Sequence, residues 1–194
     1  MATKIDLCNQ ALDVLHVDNI NALSDTERQA VLCNRWYDDL RRRMLRDHAW
    51  NFATKRVVLA EVSDEYTNWS YAYGYPSDCL YARRVLPPSG TDTVIDFVVQ
   101  KSSSSSGRVI LTNAEDAELE YTVDVEIVNE FDPLFQEALV FNLAAKIAGP
   151  LKGKQQIVQA MYQAYFVALS RAKMGDANEG SLPLQQSNTF VDAR

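Results

Sequence analysis

Cysteine, histidine and basic residues are all in short supply in this chain of 194 residues, and each shortage excludes something. Cys8, Cys33 and Cys79 are odd in number and form no CxxC pair, so no disulfide framework is expected and the thiols read as reduced and intracellular. Two histidines, His16 and His48, cannot build a zinc site with these cysteines at any usual spacing, and neither metal nor cofactor is expected. The 19 Lys and Arg are outnumbered by 26 Asp and Glu, a net charge of −7. Neutralising phosphates needs a basic surface, which disfavours general nucleic-acid binding. No apolar run reaches membrane-spanning length. The opening MATKIDLCNQ lacks a basic stretch followed by an apolar one, so no secretory signal is expected. GxSxG, HExxH, P-loop and GxGxxG fingerprints are missing as well.

What is present is an ordinary globular composition, 47% hydrophobic and 23% charged, sufficient for a core in one domain or two small ones. Helical spacing recurs at Ile5, Cys8, Ala11, Leu12 and Leu15, predicting a helix over 3–16 with Thr3 as N-cap. Ser24 to Glu27 has the form of a capping box, opening a helix that runs to about Ala49 and buries Ala30, Cys33, Tyr37, Leu40 and Met44. The arginines lie mostly off that stripe, and the two helices are expected to pair antiparallel.

The texture changes after Trp50. Segments 56–61, 70–75, 79–86, 94–100, 108–111 and 118–126 are rich in Val, Ile, Tyr and Leu and are separated by turn residues, which predicts five or six short strands. In the last, Leu119, Tyr121, Val123 and Val125 face in, and Glu118, Glu120, Thr122 and Asp124 face out as a solvated acidic edge. SSSSSG at 102–107 reads as a hairpin tip. Helix resumes at Asp132-Pro133, an N-cap followed by proline at N1, and is expected to stop at Gly149-Pro150. A fourth helix is predicted over 154–174 with Gly175 at C′, followed by an extended tail.

The resulting expectation is an α+β chain. An antiparallel four-helix bundle (1–52 and 131–175) carries an inserted small antiparallel β domain (53–130) and an extended C-terminal tail (176–194). Charge is split along it: 28–46 has a net of +4 and 61–132 a net of −10. These are either solvated faces or complementary surfaces between copies, with Arg35, Arg41, Arg42, Arg43 and Arg46 on one side and Glu118 and Glu120 on the other. On the second reading, charge reversal at 41–43 should harm assembly more than stability. Acid–base roles for His16 beside Asp13 and His48 beside Asp47 are outweighed by placement near helix ends, where a cation is favoured. Trp69, Tyr71, Tyr73, Tyr75 and Tyr81 form an aromatic run, read as core with surface pairs, as a platform for a sugar or base, or as a contact with another protein.

Several segments, in one order, resemble a known family. They are KIDLCNQALDVL (Lys4–Leu15), the stretch Asn34–Arg56, WSYAYGYPSDCLYARRV (Trp69–Val85), ILTNAEDAELEYTVDV (Ile110–Val125), FDPLFQEALVFNLAAKIAGPL (Phe131–Leu151) and MGDANEG (Met174–Gly180). The chain resembles the tail tubular protein A group, head-to-tail adaptors (connectors) of short-tailed bacteriophages. The resemblance does not extend to 102–107 or to the last dozen residues.

It implies a non-enzymatic virion protein made in the host cytoplasm. Twelve copies would form a ring at the head-tail junction, between the portal protein and the tail nozzle protein. DNA would pass through the lumen during ejection without sequence-specific binding, and no membrane is involved. By the same resemblance the tail would reach the portal through Asp176, Asn178, Glu179, Leu182, Leu184, Phe190 and Arg194. Truncation before Asp176 would then spare the fold. Trp69, Tyr71 and Tyr73 are the candidates for contact with nozzle or tail fibres. The competing readings are a peptidoglycan hydrolase using Glu115, Asp116 or Glu118, and a cellular α+β interaction domain.

Overall fold

The computed structural model describes residues 2–64, 66–88, 93–104 and 106–179. They form a mixed α+β structure of four helices and two small antiparallel sheets. Helix α1 (Lys4–Val14) starts at a reciprocal cap: the Thr3 hydroxyl accepts from the Asp6 amide at 3.2 Å, and the Asp6 carboxylate accepts from the Thr3 amide at 2.7 Å. Helix α2 (Arg28–Asp47) starts later than its sequence suggests. The carboxylate of Asp25 instead accepts from the amides of Asn21 and Ala22, and the N-cap Glu27 makes no side-chain bond. A local turn has won over the capping box. The predicted apolar stripe of α2 is buried, and Arg41 is buried with it.

Helix α3 (Pro133–Lys152) is capped by Asp132, whose carboxylate accepts from the amides of Leu134 and Phe135 at 2.8 and 3.3 Å. Pro150 does not stop it: the proline forgoes one hydrogen bond to the preceding turn, and the helix runs on only to Lys152. The helix ends instead at Gly153, where φ is +63°. Helix α4 (Gln155–Glu179) continues past Gly175. A Cβ at Gly175 would lie 2.9 Å from Leu134 Cδ1, so this glycine lets α4 approach the start of α3 rather than ending the helix. The tail boundary therefore moves. Asp176, Asn178 and Glu179 are the last turn of α4, whereas Leu182, Leu184, Phe190 and Arg194 lie outside the described residues.

Helix α3 is the hub. It packs on α1, α2 and α4, while α1 and α2 meet through side chains, Lys4 with Asp38 and Cys8 with Cys33, more than through close backbones. Buried residues recur all round α3, among them Phe135, Ala138, Leu139, Leu143, Ala144 and Ile147. A helix apolar on every side is one enclosed by others.

Strands β1 (Thr54–Val58), β2 (Tyr71–Gly74), β3 (Cys79–Leu86), β4 (Phe97–Lys101), β5 (Arg108–Thr112) and β6 (Glu118–Val123) form sheets of order β1-β6-β3 and β2-β5-β4. Leu59, Val85, Leu119 and Tyr121 pack with Tyr73 and Ile110 in one core drawn from both sheets. β4 and β5 are antiparallel neighbours, and the Ser102 amide bonds the Gly107 carbonyl at 2.9 Å between them, as the serine-rich tip suggests. β6 is not an acidic edge. It is the central strand of its sheet, Thr122 on its polar face is fully buried, and Glu120 is engaged by arginines. A strand paired on both sides has no edge to defend, so its carboxylate needs a partner rather than solvent.

Candidate functional site

The most organised polar chemistry lies at the joint between helices and sheets. Arg41 leaves the apolar stripe of α2 pointing at the end of β6. Its Nη1 donates to Asp124 Oδ1 at 2.6 Å and to the carbonyl of Val125, and the side chain is only 1% exposed. Arg42, exposed, meets the other oxygen of Asp124 at 2.8 Å. Two arginines from one helix turn thus grip one carboxylate, each with a single nitrogen on a different oxygen, as charge-assisted hydrogen bonds.

Arg83 on β3 makes a second tie. Its Nη2 donates to the carbonyls of Leu45, Arg46 and His48 at 3.3, 2.9 and 2.6 Å, and its Nε to Thr122 Oγ1 at 2.8 Å. Those carbonyls close α2, so the guanidinium caps the negative end of that helix from the neighbouring sheet.

A third tie comes from α4. Asp176 is buried, and its carboxylate receives the Asn51 amide at 2.8 Å and faces His48 Nε2 at 3.0 Å. The Asn51 side chain donates to the Asp176 carbonyl at 2.7 Å. Asp176 therefore serves the fold in the turn between α2 and β1. Truncation before it would remove a buried partner, and a cut that spares this contact falls after Glu179. Replacing Asp176 with alanine should cost about 2 kcal/mol, since a buried amide and an imidazole lose their acceptor. Hydrogen exchange should then rise in the last turn of α4 and at Asn51, and unchanged protection there would reject the latch.

The structure separates the other residues singled out in the sequence. Arg43 pairs within its own helix with Asp39 at 2.8 Å, and both are exposed. Arg46 lies 4.6 Å from the Tyr81 ring, and Arg35 is exposed. Of the five arginines expected between subunits, Arg41 is thus committed inside the chain. Glu120 is committed too: its oxygens take Arg84 Nε and Nη2 at 2.7 and 2.9 Å, and Arg56 stands 3.4 Å away. Glu118 is half-buried at the other end of β6.

Tyr73 is buried, donating to the Ala114 carbonyl at 2.9 Å, and so cannot present a surface to a nozzle or fibre. Tyr71 stacks on it at 6.3 Å, half-buried. Trp69 lines an open cleft of about 460 Å³ with Glu61, Asp64 and Tyr66. Glu115 and Asp116 are exposed between β5 and β6, where Asp116 has φ +50°. Among the described residues no cluster of His, Cys, Asp and Glu is suited to a metal ion. Cys8 is held protonated by its contact with Cys33 and by burial. Sequence reasoning missed Arg83, Asn51 and Asp124 as joint residues. Asp124 carried one signal, as the acid closing an alternating strand.

The Arg84 hydrogen bonds hold the Glu120 carboxyl below its ordinary value of 4.5. A depressed folded value adds stability that is present above 4.5 and is lost as pH falls through the folded value. Glu120→Gln should therefore cost about 1–2 kcal/mol at neutral pH. The gap to the wild type should close in acid as Glu120 itself is protonated. Urea titrations from neutral pH down through 4.5 and further into acid would check this, and a gap that never narrows would contradict it.

Compared with models of known protein families and with curated proteins, the chain matches none.

Proposed function

We propose that this chain is a structural connector protein, a head-to-tail adaptor that assembles as a ring between portal and tail nozzle and leaves a passage for DNA. The observation that carries the reading is the joint. Arg41 with Asp124, Arg83 with the end of α2, and Asp176 with Asn51 fix the helices against the sheets by buried or part-buried polar ties. A subunit that must hold one angle under load, in many copies, needs this rigidity, and an enzyme cleft does not. The ordered segments of the resemblance include these parts: Arg41 and Asn51 fall in Asn34–Arg56, Arg83 in Trp69–Val85, Asp124 in Ile110–Val125 and Asp176 in Met174–Gly180. The helices, centred on α3, act in this reading as the bundle that carries the ring, and residues after Glu179 as the arm toward the portal. The acidic balance suits a conduit that does not retain DNA.

The test is negative-stain electron microscopy of the full chain, alone and mixed with the portal protein encoded nearest to it. A twelve-fold collar stacked on the portal is the expected result. A monodisperse particle that never joins the portal would overturn the reading.

A further inference from the structure

The outward face of α4 is unlike a solvated helix surface. Residues 155–170 contain no charged side chain, and among the exposed glutamines Gln155, Gln156, Gln159 and Gln163 the helix shows large apolar groups to solvent: Phe166 is 61% exposed, Val167 62% and Met174 67%. Tyr162, one turn before Phe166, is exposed as well. Scattered exposed hydrophobes need no explanation, but four charge-free turns that expose a tyrosine, a phenylalanine and a valine, with a methionine two turns on, have the depletion of charge and the aromatic content of an interface core.

A second surface of the same chain complements it. Between α1 and the first half of α3 runs a groove of about 440 Å³. Its apolar parts are Val14, Pro133, Val140 and Phe141, and Asp13 and Glu137 stand with them. The charges of the two surfaces oppose each other. Helix α1 exposes Asp6 and Asp13, while its single lysine, Lys4, is bound to Asp38 at 2.7 Å. The basic residues of α4 are Arg171 and Lys173, at the end of the apolar face. Arg171 also meets Glu137 of its own chain at 3.7 Å, which leaves Lys173 and Asp13 as the complementary pair.

We infer that the occupant of the α1–α3 groove is a second copy of this chain, inserting the Phe166–Val167–Met174 face of α4 with Lys173 toward Asp13. The contact is heterologous, one surface meeting a different one, so it propagates from copy to copy and closes only as a ring. It deepens the adaptor reading, and rests on it only for the expectation that copies stand side by side.

The test is sedimentation velocity of the full chain at up to about 1 mM, where even a millimolar Kd fills more than about a third of the sites. Wild type should form species larger than dimers. Phe166→Asp and Val14→Asp should each weaken association by about 30- to 100-fold. An equimolar mixture of the two should recover heterodimers and nothing larger, because each variant keeps one intact surface. Val167→Asp and Asp13→Lys repeat the test at exposed positions in case either first variant fails to fold.

A wild type that stays monomeric throughout would overturn the inference. So would variants that associate like wild type, or a Phe166→Asp defect with no Val14 or Asp13 defect, which would mean that α4 meets α4. A chain that gives the expected pattern and still never joins the portal would uphold this interface and overturn the adaptor reading.

Discussion

Arg41→Ala should lower the stability of this protein by about 3–5 kcal/mol, the range for breaking a buried ion pair by removing one partner. The guanidinium is 1% exposed, and what it leaves behind cannot recover. Asp124 is 20% exposed, and the Val125 carbonyl would face an apolar void. Arg42 still reaches Asp124 from the solvent side, which limits but does not cancel the loss. For a chain of this size the melting temperature should fall by about 10 °C. Arg41→Lys should recover only part, since the ammonium keeps the charge but is more strongly hydrated than a guanidinium and so costs more to bury at this site. Arg43→Ala should change stability by no more than about 0.5 kcal/mol, because its pair with Asp39 is exposed. Calorimetry of the three variants decides the matter, and equal melting temperatures for the two alanine variants would reject the clamp. For Arg41 this reverses the expectation that neighbouring arginines serve assembly before stability.

Trp50→Ala should cost about 4 kcal/mol, at the upper end for emptying an aromatic site. The indole is fully buried at the turn from α2 into β1 and touches His48, Phe52 and Phe135, with ring centroids at 4.7, 5.9 and 5.1 Å. Its N–H donates to the Met44 carbonyl at 2.9 Å, near the end of α2. Removing it opens a cavity at the point where α2, α3 and the start of β1 meet. Trp50→Phe keeps most of the packing but leaves that carbonyl without its donor, for a smaller loss of about 1–2 kcal/mol. Urea unfolding with an unchanged m-value would assign both losses to the native state. A Phe variant as unstable as the Ala variant would mean that the hydrogen bond, not the ring volume, holds the turn.

Features decided within a few residues could be read from the sequence. Thr3 with Asp6, and Asp132 with Pro133, mark helix starts by chemistry that needs no distant partner. The six strands were legible from β-branched and aromatic runs between turns. Where reading failed, a distant residue had intervened, or a nearer one competed. Gly175 carries the mark of a helix end, but Leu134 on another helix gives it a different purpose. Ser24 and Glu27 fit a capping box that Asp25 pre-empts. Arg41 stands in the sequence beside exposed arginines, and its partner Asp124 is 83 residues away. Alternation placed Glu120 and Thr122 on the face opposite Leu119 and Tyr121, though that face is covered rather than solvated. What it could not convey is that β1 and β3 flank β6 on both sides and bring Arg56, Arg84 and Arg83 over that face. The joint was the hardest part to foresee, since each of its ties crosses between elements far apart in the chain.

The first and last strands of the sheets are neighbours: β1 pairs with β6, and Thr54 stands opposite Thr122. Seen from the helices, everything between those two threonines is a closed loop whose ends are about 5 Å apart. Lengthening such a loop costs only a logarithmic amount of closure entropy. The sheets are therefore an exchangeable cassette, in which strands can be gained, lost or replaced as long as the paired stem survives. Asp124 lies just beyond that stem and stays behind with Arg41 in any such exchange. Arg83 travels with the cassette, as do the Leu80 and Tyr81 contacts of Arg46, so a graft must bring its own cation to the end of α2.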